Sequence, residues 1–398
     1  MLLRYGTATE AGMLPERLAY ARDLCARWVA EAHTPTLGVC VARRGVIVLH
    51  EAFGVLGPGP DSAALTRDAL FPIMSLAKPI TATLVMQLVD DGLLGLNRPV
   101  VDYLPEVSGE GIEEVLVHHL LTHTSGYPFF TDAPWIDHLA KKLRAGFQPP
   151  PCPEGQHPFI HKLLSRFWDA PRVARAGEVM LYSGHNYELL GEIVRRLSGT
   201  GLEQRARERI FDPLGMRDSY YTVPASQSHR VVLRAPDLPF ADPVGPMPSM
   251  NSRELQAIPS ANMGVFSTPR DMVVFAQAIL NGGHYGGARI LSPATVAAMT
   301  RNQIPGVRGR LVDCEVEHAS WGYGFAITSP TKWKYYDGSL PPLGTLSHSG
   351  AGGAAFWIDS VHEIAGAYFE VTTRLSPDFE HLWNFDLFQN VITAAVEE

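Results

Sequence analysis

The chain has 398 residues, 46% of them hydrophobic and 19% charged, with a formal net charge of −8. That length suits two domains, or one large domain with an insertion, around a sizeable core. The acidic balance and the lack of a basic stripe argue against a nucleic-acid partner and against docking on acidic membranes.

From the N-terminus, Met1-Leu-Leu-Arg-Tyr-Gly-Thr-Ala lacks the apolar stretch of a secretion signal, and no later run reaches membrane-spanning length. A cytoplasmic location is the expectation. Residues 14–32 carry Leu18, Ala21, Leu24, Cys25, Trp28 and Val29 at helical spacing. Two β-branched runs at 37–42 and 45–50 follow, joined by a hairpin turn at Arg43-Arg44-Gly45. A second helix opens at Met74-Ser-Leu-Ala-Lys-Pro-Ile80. Its stripe of Ile80, Leu84 and Leu88, broadened by Ala77 and Val85, ends at Asp90-Asp91-Gly92. Residues 115–121, 187–197 and 202–210 also read as helices, and the Pro-rich stretch 148–153 as a surface excursion or lid.

Around Pro248 the pattern changes. A helix at 268–280 ends at Gly282-Gly283, strands are expected at 322–328, 344–348, 353–358 and 364–371, and residues 380–396 close the chain as an amphipathic helix. The fold class is therefore α/β (α+β): an antiparallel sheet flanked by terminal helices. Residues 1–75 and 248–398 form this discontinuous domain, and 76–247 an inserted all-helical one. The four cysteines, Cys25, Cys40, Cys152 and Cys314, have no C-x-x-C spacing, so buried free thiols are expected rather than disulfides or a zinc site.

Chemistry centres on Ser75 and Lys78. Positions i and i+3 share a helix face, so the lysine amine reaches the serine hydroxyl. The free N–H groups and positive dipole end of a helix N-terminus favour developing negative charge there. Taken alone, a serine before a helix is more often a plain N-cap. His119 and His123 have metal-ligand spacing, but the intervening Leu-Leu-Thr lacks the glutamate of H-E-x-x-H, which leaves a structural role at the turn Thr124-Ser125-Gly126. Gly350-Ala-Gly-Gly353 lacks the Lys-Ser/Thr of a phosphate loop, and no G-x-S-x-G stretch occurs.

Two later stretches support the nucleophile: Val179-Met-Leu-Tyr-Ser-Gly-His-Asn186, with Tyr182 ahead of a helix, and Leu346-Ser-His-Ser-Gly-Ala-Gly-Gly353, whose small residues let a ligand approach the backbone. Together with 70–83, 119–126, 213–216 and 264–272, they resemble the serine β-lactamase and penicillin-binding-protein-like superfamily over nearly the whole chain. The nearest likeness is the class C β-lactamase-like branch that includes family VIII carboxylesterases. The resemblance implies Ser75 as the acylated serine of S-x-x-K and Lys78 as the lysine that shares its proton. It implies Tyr182 as the proton relay of Y-x-N, and His348-Ser349-Gly350 in the place of K-T-G. By that register the oxyanion hole is the N–H of Ser75 with that of Ala351.

Two departures stand out. Gly184 replaces the asparagine of Y-x-N, with Asn186 a candidate to compensate, and His348 replaces the lysine that would anchor a β-lactam or peptide carboxylate. Ester cleavage needs neither an acylamino clamp nor a carboxylate anchor. The expected activity is therefore hydrolysis of a small-molecule carboxylic ester, in which neutral Lys78 or Tyr182 as phenolate takes the Ser75 proton. No metal or organic cofactor is implied, and the oligomeric state is left open. Tyr127, Phe129 and Phe130 are candidates for the acyl pocket, and one of Phe356 and Trp357 is expected to face the site. The alternatives are a β-lactamase or D-amino-acid amidase, an acyltransferase, and an inactive binding or sensor protein.

Overall fold

The computed structural model describes residues 2–234, 249, 251–311, 314–333, 338–372 and 382–397. Seven strands form the central sheet: β1 (Arg4–Tyr5), β2 (Thr36–Arg43), β3 (Val46–Gly54), β4 (Ala326–Ile327), β5 (Leu346–Gly350), β6 (Ala354–Asp359) and β7 (Ile364–Glu370). They are ordered β1-β3-β2-β7-β6-β5-β4, antiparallel throughout except for the short parallel β1–β3 pair. The β2–β3 hairpin turns through Arg44 and Gly45, both at positive φ (49° and 76°), the geometry that tight hairpin turns require.

Two helix layers cover the sheet. Helices α1 (Pro15–Ala30) and α5 (Trp383–Thr393) close one face, where Trp28, Val39, Trp357, Tyr368, Phe385 and Phe388 share a buried cluster. On the other face lies α4 (Pro269–Leu280), started by Thr268, whose hydroxyl accepts from the Asp271 N–H. Phe275 of α4 meets Phe356 edge-on at 6.2 Å, while Trp357 meets Phe385 at 5.8 Å. The alternation of neighbouring strand residues is thus used entirely for core, and the expectation that Phe356 or Trp357 faces the site is corrected: sheet-covering helices take both faces.

Helix α2 (Ala77–Asp90) is buried at every position from Ala77 to Leu88, which explains why its sequence is apolar nearly all round. It packs against α3 (Gly184–Ser198). One hydrophobic cluster runs from Cys40 and Phe71 through Leu84, Leu120 and Leu190 to Phe275 and Phe369, so the core is continuous across residue 75. The expected boundary at 247/248 lies outside the described residues.

The segment 76–247 is not wholly helical. Met180–Leu181 pairs in parallel with Gly309–Leu311, a strand too short for periodicity to reveal. Two helices there, Ala133–Arg144 and Pro158–Phe167, are not among those expected from the sequence; each carries a proline in its first turn, where a helix tolerates one. Cys25 and Cys40 are buried thiols, whereas Cys152 is exposed and Cys314 half-buried. Among the described residues no helix is long and apolar enough to cross a membrane.

Candidate active site

Ser75 sits in a 3-10 turn, Met74–Leu76, that runs straight into α2. The turn is tight: Ile73 N–H donates to the Val265 carbonyl (3.0 Å), and Leu76 N–H donates back to Ile73 (3.1 Å). Met74, just before the serine, is held at φ 50°, a left-handed conformation that a non-glycine residue adopts only under constraint. The Ser75 hydroxyl caps neither helix. Instead Lys78 Nζ donates to Ser75 Oγ at 2.9 Å.

Lys78 is fully buried. Its Nζ also donates to Asn262 Oδ1 (2.6 Å) and the Asn262 carbonyl (3.2 Å), and lies over the Tyr182 ring at 4.8 Å from the centroid. Burial pulls its pKa down to about 7, and the charge of Glu188 opposes that shift. Tyr182 is placed by the small 180–181 strand: its N–H donates to Arg310 O (3.0 Å), and the preceding Leu181 N–H donates to His123 O (2.8 Å). The His123 ring packs against Tyr182 at 4.5 Å, with Nδ1 accepting from Ser183 N–H (3.1 Å). Burial and the neighbouring Lys78 and His348 hold His123 neutral.

The third wall is β5. His348 is buried, and its Nδ1 donates to the Ser349 carbonyl at 2.8 Å, which leaves Nε2 as an acceptor without a hydrogen-bond partner among the described residues. Burial, then Lys78, pushes its pKa down to about 3, so it carries no charge at neutral pH. Gly350 passes so close to the Ser75 turn that a Cβ there would lie 2.1 Å from the Ile73 carbonyl oxygen. That closeness brings the Ala351 backbone beside the serine turn. Neither the Ser75 nor the Ala351 N–H donates to a backbone carbonyl outside its own turn among the described residues. Behind this turn lies Arg234, buried, with Nη1 donating to the Gly352 carbonyl at 3.3 Å and Nε without a partner among the described residues. Burial lowers its pKa to about 10.

Beside the serine opens a cleft of about 900 Å³, mouth included. Met74, Gly184 and Asn262 form its near end, and Trp135, Phe159 and Leu163 of the two unanticipated helices form the far side. Its few polar groups include Glu188, whose carboxylate accepts from Ser260 Oγ, and His185, kept neutral by burial with a pKa of about 3. Among the described residues no cluster of metal-ligating side chains occurs.

The family model described as Beta-lactamase matches residues 21–389. The chain belongs to the beta-lactamase family. Penicillin-binding protein 4 of Amycolatopsis lactamdurans is 33% identical to this family member over 82% of the chain and 77% of its own length. Esterase EstB of Burkholderia gladioli is 28% identical over 80% and 81%. A crystal structure of a family VIII carboxylesterase superposes with a TM-score of 0.70 at 23% identity, covering 94% of this chain and 98% of that one, which speaks to the fold. This chain is accordingly a serine hydrolase of the β-lactamase and penicillin-binding-protein superfamily.

In this β-lactamase-family hydrolase Lys78 touches Ser75 and lies over the Tyr182 ring, His348 stands 6.2 Å from that ring, and Gly350, flanked in the chain by Ser349 and Ala351, lies against the serine turn. Three other candidates lie elsewhere. Tyr127 is wholly buried against His185, at 4.9 Å between ring centroids. Asn186 is also wholly buried and commits Oδ1 to the Ser125 hydroxyl at 2.7 Å, so it is not available to replace the missing Y-x-N amide. Trp357 is core, as described above. Phe130 does line the cleft. Sequence reasoning passed over Asn262, although it stands two residues before the Gly264–Met272 stretch, and it gave His123 only a turn role. No local signal marks Arg234, because the carbonyls it donates to, on Ala351 and Gly352, lie 117 and 118 positions away along the chain.

Proposed function

We propose that the chain is a carboxylesterase that cleaves small apolar esters through an acyl-enzyme on Ser75. The observation that carries this reading is His348: where the resemblance expects a permanent cation, there is a buried, neutral imidazole. An ester presents no carboxylate for such a cation to hold, and the apolar cleft beside Ser75 suits its acyl group.

With a pKa of about 7, Lys78 is largely neutral in mildly alkaline solution, and its 2.9 Å contact then runs the other way, from Ser75 O–H to the amine lone pair. As the oxygen attacks the carbonyl, the proton passes to Nζ. The oxyanion is received by the N–H groups of Ser75 and Ala351, each worth roughly 3–4 kcal/mol in acyl transfer. Tyr182, beside Lys78, returns the proton to the departing alkoxide, and water repeats the sequence on the acyl-enzyme.

A second reading has one observation in its favour. Arg234 places a buried guanidinium behind the Ala351–Gly352 turn, a cation suited to a carboxylate-bearing amide or β-lactam. Its Nη atoms are, however, directed to backbone carbonyls. Rates on a short-chain aryl ester, a chromogenic cephalosporin and a D-alanyl amide, each with Ser75→Ala as control, separate the two. The esterase reading expects the aryl ester to turn over far faster than the others. Faster cephalosporin or amide turnover would sink it.

A further inference from the structure

The glycine at 184 has a structural reason that its sequence context hides. A Cβ built on it would lie 2.7 Å from Asn262 Nδ2, 2.8 Å from Oδ1 and 2.9 Å from Cγ. A side chain at 184 and the amide of Asn262 therefore compete for one place. The amide that fills it is the one whose Oδ1 accepts from Lys78 Nζ at 2.6 Å, with the carbonyl of the same residue accepting at 3.2 Å. The lysine thus takes three acceptors, Ser75 Oγ and two from Asn262, and Gly184 is what leaves room for the second and third.

We propose that Asn262 is the positioning residue of this site: it occupies the place that an asparagine at 184 would fill, and it aims Lys78 at Ser75. The missing amide of the Tyr182-Ser-Gly184 motif has not been lost but moved to another loop, 78 residues later. The inference rests on Ser75 and Lys78 acting as nucleophile and base, and it adds which residue orients the base.

The physical argument is one of count and space. A buried amine that can rotate about four side-chain bonds reaches one geometry only if acceptors fix it. An ammonium only donates, so Asn262 must present Oδ1 to it, and no rotation of the amide serves as well. Removing that oxygen also removes an acceptor that favours the charged form, so the lysine pKa falls further without it.

Exchange of the two side chains is the test, read as kcat/KM on an aryl ester from pH 5 to 9. Asn262→Ala is expected to lose roughly 10²-fold, the scale of a misplaced catalytic group, with its acid limb moved to lower pH. Adding Gly184→Asn to that variant should restore about tenfold or more and bring the limb back. Gly184→Ala in the native background should reduce the rate, since the methyl group expels the Asn262 amide. The same change on top of Asn262→Ala should cost nothing further. Asn262→Asp, which keeps the shape, should move the acid limb up by about 1–3 pH units, because a carboxylate beside Lys78 holds its proton.

An Asn262→Asp variant with an unmoved limb would overturn the proposal, as would a double variant no faster than Asn262→Ala. Melting temperatures of all variants show whether each is folded. Ser75→Ala run alongside keeps the two failures apart: an active Ser75→Ala removes the nucleophile reading itself, whereas an inactive one with a failed exchange removes only the role of Asn262.

Discussion

The two sides of Ser75 are built on opposite plans. On one side Lys78, Asn262, Tyr182, His123 and His348 pack polar atoms together, and burial is the largest influence on the protonation of Lys78, His123 and His348, ahead of their neighbours' charges. On the other side the cleft is walled by Met74, Trp135, Phe159 and Leu163, where little but size and shape discriminates. On the polar side Lys78 stands on α2 and His348 on β5, Tyr182 follows the short Met180–Leu181 strand, and Asn262 is held on its loop by the bond to Lys78. The far wall of the apolar side comes from the helices Ala133–Arg144 and Pro158–Phe167, and Leu255, Ile258 and Phe266 add to it from the chain before α4. Chemistry is therefore set by the polar half of the site and substrate choice by the apolar wall, whose residues come mostly from other stretches of chain, a division that lets one change while the other holds.

The sharpest way to break this division is Lys78→Met. It should cost about 10³-fold or more in kcat/KM, as removal of a positioned base does, yet raise stability by about 1–4 kcal/mol because a buried cation becomes a well-packed apolar side chain. The sign follows from linkage. The folded pKa lies below the unfolded value of 10.5, so Lys78 destabilises the fold fully below pH 7, and the penalty fades as pH rises from about 7 to 10.5. The gain in melting temperature should therefore be larger at pH 6 than at pH 10. A variant that melts lower than the parent at pH 6 would show that Lys78 holds the core together rather than burdening it.

Tyr182→Phe comes next. The ring keeps its contacts with His123 and Trp321 at 4.5 and 6.0 Å, so the fold should be unchanged while kcat drops by about 10²-fold, the usual size of a lost acid–base group. An unchanged kcat on an ester with a poor leaving group would remove the tyrosine from the proton path.

The apolar side predicts a different kind of effect. Leu163→Trp fills part of the cleft from the far side. Long or branched acyl esters should lose about tenfold or more in kcat/KM while an acetyl ester is spared, the scale of discrimination that apolar pockets achieve. Equal losses on both would mean that the acyl chain lies elsewhere.

How much of this was legible follows the same division. Ser75, Lys78, Tyr182 and His348 could be read because short motifs carry fixed roles, and the sheet could be read from alternation at 37–50 and 344–371. Asn262 could not, since its role exists only because residue 184 has no side chain. Arg234 could not either, because a loop arginine ordinarily faces water. The walls of the cleft failed for a local reason: Pro134 and Pro158 look like breaks in a helix pattern, and only a helix start makes them compatible with one.

The smallest effect concerns pH. With Lys78 near 7, kcat/KM on an uncharged ester should rise about tenfold per unit below that value and level off above it. The histidines around the site cannot produce this limb, since His348 titrates at about 3 and His123 well below its ordinary value, both neutral across the range. Replacing His348 with glutamine, which cannot ionise, should therefore leave the limb near 7, since the imidazole carries no charge there to act on Lys78. A limb that vanishes in His348→Gln would assign the titration to the imidazole and undo the contrast between a lysine tuned by burial and histidines silenced by it.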